Sequence, residues 1–326
     1  MRRNVDEKYC MKFTTVARES GILIDPIHYI VPTMGNSRER EDVIWNGKQF
    51  PVKYGMLDLS GQGIEKLEDI DGLDGVQGVR ELVLRDNHIS SIEILPSLDN
   101  LHDMHYLRMS NNEVEKLPDL SDFKELREIE LAESKIKVIE GLGKLENLKK
   151  LDLAGNAIAS MECVKNLFNL KELDISRNRI PAIAGLTSLV KLESLDLSDN
   201  EIEEIEGLET LVNLEKLDLS GNHVKKIRGL KNLTNLRELN LANNDITKVE
   251  GLGTLIHLEK VSLHDNAFPD EVLDIIHSAF PIVKLNRYNA SSISMGKPKA
   301  IVMYCKGRKR RKINKKIEKL LGTSPA

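Results

Sequence analysis

A single phrase, LxLxxN, recurs at a fixed interval through most of this chain of 326 residues. In six successive copies its last residue is Asn156, Asn178, Asn200, Asn222, Asn244 and Asn266, always 22 residues apart (178 − 156). In earlier copies the same place is held by Gln62, Asn87, Asn112 and Ser134, with intervals of 25, 25 and 22 residues. Such a period predicts a repeat architecture in which every coil packs only on its neighbours.

The residue types in the phrase predict the structure of one coil. Its two leucines are separated by one residue, so they face the same side of a short strand and enter a core. The asparagine amide can both donate and accept hydrogen bonds, which predicts a ladder of asparagines between neighbouring coils. A recurring glycine predicts a tight bend into a short helical turn. This glycine is found at Gly141, Gly185, Gly207, Gly229 and Gly251.

These features predict the α/β class and a horseshoe-shaped solenoid, with parallel β-strands on the concave face and short helical or 3-10 turns on the convex face. The repeat and its Ile-x-Gly-Leu turn, as in Ile205–Leu208, resemble the leucine-rich-repeat family. The likeness is to the 22-residue class typified by regulatory subunit 7 of type-1 protein phosphatase, and it covers residues 55–268. It implies a non-enzymatic scaffold or regulatory subunit inside the cell that binds a protein partner in its groove.

The chain is predicted to have four parts. They are an N-terminal cap at 1–54, ten repeats at 55–268, a C-terminal cap at 269–288 and a basic tail at 289–326. The N-terminal cap is predicted to contain a helix, a loop and a β-hairpin. The hairpin is placed at Val43–Phe50, because Asn-Gly between β-forming residues favours a tight turn. Trp45 is expected to pack over the first coil, since the apolar ends of a solenoid must be covered.

Two coils depart from the repeat, and neighbouring coils are expected to tolerate both departures. Ser134 replaces the ladder asparagine, and Cys163 replaces the glycine. Together with Cys10 and Cys305, Cys163 makes an odd number of widely spaced cysteines, which predicts free thiols and a reducing compartment. No secretory signal peptide and no membrane-spanning stretch are recognised, so a cytoplasmic protein is expected, or a nuclear one in a eukaryote.

The sequence contains no recognisable catalytic constellation. The fragment Gly61-Gln62-Gly63 lacks the third glycine of a dinucleotide-binding loop and lies within the first repeat. His102 and His105 have a spacing found in metal sites, but a turn between repeats explains them better. No nucleophile elbow, P-loop or zinc-protease motif is present. The prediction is therefore no catalytic residue, no metal, no cofactor and no small-molecule substrate.

The candidate binding site is the set of outward-facing residues on the concave strands. The residue between the two leucines forms a column with five consecutive acids, beside a column of small residues and three lysines that relieve the repulsion between the acids. The predicted contact residues are Tyr106, Arg108, Glu130, Asp152, Asp174, Arg177, Asp196 and Asp218. Two interpretations stay open. Either the groove attracts a basic partner, or Leu-Asp-Leu-Ser is a default strand sequence that serves solubility.

The end of the chain has the opposite charge. Residues 297–326 contain eleven Lys or Arg and one acid, for a net charge of +10, which leaves −14 for the other residues in a total of −4. The basic run is Arg308, Lys309, Arg310, Arg311 and Lys312, and Ile313, Ile317, Leu320 and Leu321 follow at helical spacing. Such a segment suits an anionic membrane surface, a nucleic acid, an acidic protein, or the acidic groove of this chain or of another copy, or it is a solvated tail.

Two alternatives to the passive scaffold follow from these features. One is a regulator of a phosphatase or a GTPase. The other is an adaptor that acts at a membrane surface or on a nucleic acid through the basic tail.

Overall fold

The computed structural model describes residues 42–269. A two-stranded antiparallel sheet is followed by a ten-stranded parallel sheet whose strand order follows the chain. The strands are β1 (Asp42–Trp45), β2 (Lys48–Pro51), β3 (Met56–Asp58), β4 (Glu81–Val83), β5 (Tyr106–Arg108), β6 (Glu128–Glu130), β7 (Lys150–Asp152), β8 (Glu172–Asp174), β9 (Ser194–Asp196), β10 (Lys216–Asp218), β11 (Glu238–Asn240) and β12 (Lys260–Ser262). The predicted solenoid and its strand-lined face are confirmed.

The register of the large sheet follows from the repeat. Each strand pairs with the next so that equivalent positions lie side by side, as Leu195 with Leu217 and Leu217 with Leu239. These three leucines are at most 2% exposed, because their side chains point into the coil. The buried leucines, isoleucines and valines of successive coils form one continuous core. Strand pairing and core packing therefore select the same register. A slip by one residue would turn the buried leucines to the outside.

The predicted asparagine ladder is confirmed in atomic detail. The Asn178 amide donates to the carbonyl oxygens of Leu153 (3.0 Å) and Ile175 (3.1 Å), and its Oδ1 accepts from the N–H of Ile158 (2.9 Å). Each rung thus satisfies backbone groups of two coils away from water. The same arrangement recurs at Asn87, Asn112, Asn156, Asn200, Asn222, Asn244 and Asn266.

The two irregular coils differ in how they absorb their substitution. The hydroxyl of Ser134 is the one buried side-chain polar atom in residues 42–269 that has no hydrogen-bond partner. At Cys163 the backbone forms a 3-10 turn, Glu162–Val164, so no residue with positive φ is needed there. Burial raises the pKa of the Cys163 thiol to about 11, which makes it a poor nucleophile at neutral pH.

The recurring glycine is required by both backbone angle and space. Gly207 has φ +72°, and a Cβ at this position would lie 2.9 Å from the carbonyl oxygen of Ile183 in the preceding coil. The predicted short turns are 3-10 turns at Leu67–Asp69, Leu95–Ser97, Asp99–Leu101 and Glu162–Val164. A close approach between coils at the glycine thus sets how tightly they stack.

A second asparagine ladder was not predicted. It lies on the turn just before four of the strands, β7, β8, β10 and β11, where an asparagine amide donates to a backbone carbonyl of the preceding coil. The donors and acceptors are Asn147 to Lys124 (2.9 Å), Asn169 to Glu146 (2.7 Å), Asn213 to Val190 (2.8 Å) and Asn235 to Val212 (2.9 Å). Neighbouring coils are therefore fastened at two places, at the end of the strand and at the turn that leads into it.

The N-terminal hairpin is confirmed and covers the first coil as expected. Val43 pairs with Phe50 across the sheet, and the turn residues Asn46 and Gly47 both have positive φ. The indole Nε1 of Trp45 donates to the carbonyl oxygen of Gln62 at 3.0 Å. The predicted N-terminal helix, the basic tail, and all of the C-terminal cap except Pro269 lie outside the described residues.

Candidate protein-binding face

The concave face carries a column of four aspartates in successive strands. Asp152, Asp174, Asp196 and Asp218 are direct neighbours in the register of β7 to β10, and each is partly buried. Parallel strands lie about 4.8 Å apart, so the carboxylates form a line about 14 Å long. We call these four residues the aspartate column.

Each aspartate of the column also holds its own strand end. Oδ1 of Asp174 accepts from the N–H of Ser176 (3.0 Å) and from its hydroxyl (2.7 Å). The same two bonds occur at Asp196 and Asp218, and Asp152 accepts from the N–H of Ala154. The phrase Leu-Asp-Leu-Ser is thus a hydrogen-bonded unit. This gives the strand sequence a structural reason that the solubility interpretation lacked.

The charge of the column is balanced by no ion pair in the part of the chain that the structure describes, although the charge of Lys150 acts to lower the pKa of Asp152. No ion pair to any of the four carboxylates occurs within residues 42–269. Burial raises the pKa of Asp152 above its ordinary value, and the charges of Asp174 and Glu130 add to the effect. Burial and the charges of Asp174 and Asp218 raise the pKa of Asp196 in the same way. The carboxylates therefore repel one another, and an approaching cation would relieve that repulsion.

The expected run of five exposed acids is corrected at Glu130. This residue is 9% exposed and forms ion pairs with Arg85 and Arg108. Arg108 also pairs with Glu81 at 2.6 Å and with Glu128 at 3.4 Å. Long arginine side chains reach across several coils, so a position that looks acidic in the sequence is neutralised in the fold.

Two other expectations about this face change. The column of small residues, which would let a partner approach the backbone if it were open, is covered at Ala154 (3% exposed) and Ser176 (6% exposed) but partly exposed at Ser198 and Ser220. Of the three lysines expected to relieve the acids, Lys260 pairs instead with Glu238 at 2.8 Å.

The predicted contact residues thus fall into two groups. Tyr106, Arg108 and Glu130 belong to the N-terminal part, where charges are paired and the Arg108 guanidinium lies 5.7 Å from the centre of the Tyr106 ring. Arg177 forms an ion pair with Glu133 and flanks the aspartate column. Of the predicted concave contact residues, the column alone combines partial exposure with unpaired charge. The predicted tail residues Arg308–Lys312 lie outside the described residues.

Within the described residues, the side chains are not arranged for metal binding or for crossing a membrane. No group of three or more His, Cys, Asp or Glu side chains is placed to hold a metal ion. His102 contacts the carbonyl oxygen of Pro96 at 3.0 Å and the edge of the Phe123 ring, as expected of a turn residue. No helix in this part of the chain is long and apolar enough to cross a bilayer.

The repeat, the stacked strands and the open concave face define a leucine-rich-repeat solenoid. The family model described as Leucine Rich repeats (2 copies) matches residues 168–210, 190–232, 212–246 and 234–274. These matches support a leucine-rich-repeat family for the chain. No curated protein matches it.

Solved structures agree on the fold. An internalin C2 from Listeria monocytogenes is 25% identical with a TM-score of 0.50, covering 64% of this chain and 80% of the internalin. The TLR13–ssRNA13 complex is 25% identical with a TM-score of 0.57 over 64% of this chain. The chain spans only 32% of the TLR13 chain. Leucine-rich-repeat proteins generally act in protein–protein interaction, through the extended concave surface that stacking creates.

Proposed function

We propose that this protein is a non-enzymatic binding scaffold whose aspartate column holds a basic segment of another protein. The observation that carries the proposal is the line of four carboxylates without cationic partners in residues 42–269. The raised pKa values of Asp152 and Asp196 mean that the fold bears an electrostatic cost at neutral pH. A basic partner would remove that cost on binding, which makes its affinity depend on charge.

The spacing of the column favours a helical partner. An α-helix with one basic residue per turn advances about 5.4 Å between charges, close to the roughly 4.8 Å between strands. An extended peptide advances about 6.8 Å between side chains on one face, so it loses the register within a few coils. The paired charges around Arg108 end the acidic line on one side, and Asn240 ends it on the other.

A direct test uses the full chain and a defined probe. The probe is a fluorescein-labelled Ala/Gln peptide with one Lys per helical turn, and its matched control has Glu in place of Lys. Binding is measured by fluorescence anisotropy at low and high salt. Exposed ion pairs contribute up to about 1 kcal/mol each, so each aspartate neutralised should weaken binding by up to about fivefold.

Variants of the column can remove its charge without removing its hydrogen bonds. Asn240 occupies the equivalent place in β11 and accepts from the N–H of Ala242 at 3.2 Å, as the aspartates do. D152N, D174N and D196N should therefore fold and lose affinity in steps. Asp58→Asn is the control, since Asp58 makes the same bonds to Ser60 outside the column. Equal affinity in all variants, or equal binding of the Glu peptide, would refute the proposal.

The alternatives remain separate predictions. A phosphatase or GTPase regulator would change an enzyme's activity in a complex captured from the native cell, whereas a passive scaffold would not. Among the described concave strands β3 to β12, Tyr106 is the only aromatic residue, so aromatic anchors contribute little to this face. An adaptor for nucleic acid or membrane would act through the basic tail, because the aspartate column repels phosphate. An intracellular location stays a prediction.

A further inference from the structure

A row of apolar side chains is exposed on the turns that precede four of the strands, β8, β9, β10 and β12. Its members are Phe168, Val190, Val212 and Ile256, which are 53%, 44%, 45% and 45% exposed. They occupy the same place in the repeat, at intervals of 22, 22 and 44 residues, and exposed Thr234 fills the remaining coil. Lys124 and Glu146 hold the place in the two preceding coils, so the row begins at Phe168. We call these four apolar residues the turn row.

Two of the four members of the turn row, Val190 and Val212, are held in place by the second asparagine ladder. The amide of Asn213 donates to the carbonyl oxygen of Val190, and the amide of Asn235 donates to that of Val212. Each bond therefore ends on the backbone of a row residue and fixes it to the next coil. Because the row is preformed, ordering it costs little when something binds there. It lies outside the concave strands and is independent of the aspartate column.

The size of the row decides what kind of occupant it suits. Four partly exposed side chains offer far less than the roughly 800 Å² per partner of a stable protein–protein interface. A second copy or a free partner held by this row alone would therefore bind weakly. A segment of the same chain is different, because a tether raises its effective concentration to about the millimolar range.

We propose that the C-terminal segment 313–321 of the same chain docks on the turn row. Its apolar residues Ile313, Ile317, Leu320 and Leu321 have the spacing of one helix face and would span about 12 Å, or between two and three coils. The described part of the chain ends at Pro269, directly after the coil that contains Ile256. The 43 residues between Pro269 and Ile313 (313 − 269 − 1) can reach any part of the row, which is about 19 Å long. The opposite charges of residues 297–326 and the rest of the chain add long-range attraction.

Trypsin cleavage of the full chain tests this proposal, because Lys315, Lys316 and Lys319 lie within the segment. Mass spectrometry follows the initial rate at which intact chains receive their first cut at these lysines, because a cut at Arg308–Lys312 would remove the tether. The row variant carries V190S, V212S and I256S, and the segment variant carries I317S and L321S. Both should be cleaved at least about tenfold faster than the wild type, since a docked segment is protected to the extent that it is bound.

Matched controls separate the turn row from other surfaces. Val138 is 51% exposed but lies outside the row, so V138S should leave the rate unchanged. Circular dichroism checks that every variant is folded. The proposal fails if wild type and row variant are cleaved equally fast. It also fails if only D152N, D174N and D196N accelerate cleavage, which would place the segment in the groove. Protection that disappears on dilution would instead indicate a second copy. Equal cleavage of wild type and row variant, or loss of protection on dilution, leaves the proposal for the aspartate column untouched, whereas a segment placed in the groove would make this chain's own tail a competitor for the column.

Discussion

Ser134, which stands where the asparagine ladder lacks an asparagine, can be used to test what holds the solenoid together. In a regular rung, Asn156 accepts from the N–H of Ile136 at 3.0 Å and donates to the carbonyls of Leu131 and Leu153 at 2.9 Å each. Ser134 is too short to make such bonds, and its hydroxyl is buried without a partner. Ser134→Asn should therefore restore a complete rung.

The expected gain can be worked out from the missing bonds. By the register of the ladder, the new amide would accept from the N–H of Val114 and donate to the carbonyls of Met109 and Leu131. Each hydrogen bond contributes about 0.5 to 1.5 kcal/mol net, and ordering the side chain offsets about 1 kcal/mol. The free energy of unfolding should rise by about 1 to 3 kcal/mol, which is a rise in Tm of about 2 to 12 °C for a domain of this size.

Urea denaturation and hydrogen exchange together check this result. Because unfolding of a repeat array can be stepwise, the local measurement is slower exchange at the amide of Val114. Asn178→Ser, the reverse change in a regular rung, is the control and should lower stability by a similar or larger amount. If Asn178→Ser destabilises the chain while Ser134→Asn does not stabilise it, the coil has already repacked around its serine. The assumption that each ladder position contributes independently to stability would then be refuted.

Three further predictions concern the backbone and the charges. Gly207→Ala should lower the free energy of unfolding by about 2 to 4 kcal/mol in urea denaturation, because it adds a steric clash to a left-handed backbone conformation. Gly63→Ala is the control and should lower it by only about 1 kcal/mol, since nothing lies within 4 Å of the added Cβ. Asp196→Asn should raise the Tm at about pH 7 and lose this advantage as the pH falls, because the raised pKa of Asp196 makes its ionised form costly above that pKa and harmless below it. Glu130→Gln should lower the free energy of unfolding by about 1 to 3 kcal/mol in the same assay, since Arg85 and Arg108 lose a partly buried partner. No loss would show that Glu81 and Glu128 are enough to balance the charge of Arg108.

The sequence predicted those features of the fold that repeat, because repetition turns a local pattern into a three-dimensional one. Once the phrase LxLxxN places its leucines inward, the period alone sets which strands pair and which asparagines stack. The second ladder follows the same logic and was missed because it is incomplete. Asn147, Asn169, Asn213 and Asn235 share its place, but Lys191 and His257 interrupt the series.

The state of the concave charges could not be predicted in this way. Arg85 and Glu130 are 45 residues apart and meet because a long side chain reaches across two coils. A pattern read one coil at a time does not contain that contact. The sequence therefore placed Glu130 among the exposed acids, although the fold buries and neutralises it. The burial of Ala154 and Ser176 has a similar origin, since it depends on the neighbouring coils that cover them.

The comparison of Asp218 with Asn240 bears on the two interpretations of the acidic face. Both residues accept a hydrogen bond from the backbone N–H two residues further on, so a neutral amide serves the strand end as a carboxylate does. The hydrogen bond therefore explains why Asp or Asn, whose side-chain oxygen reaches this backbone N–H, occupies this place. It does not explain why the residue is charged in four consecutive coils. That charge carries a cost, seen in the raised pKa of Asp152 and Asp196. Solubility does not require the negative charge to be concentrated in one line, whereas binding of a basic partner on this face would require it.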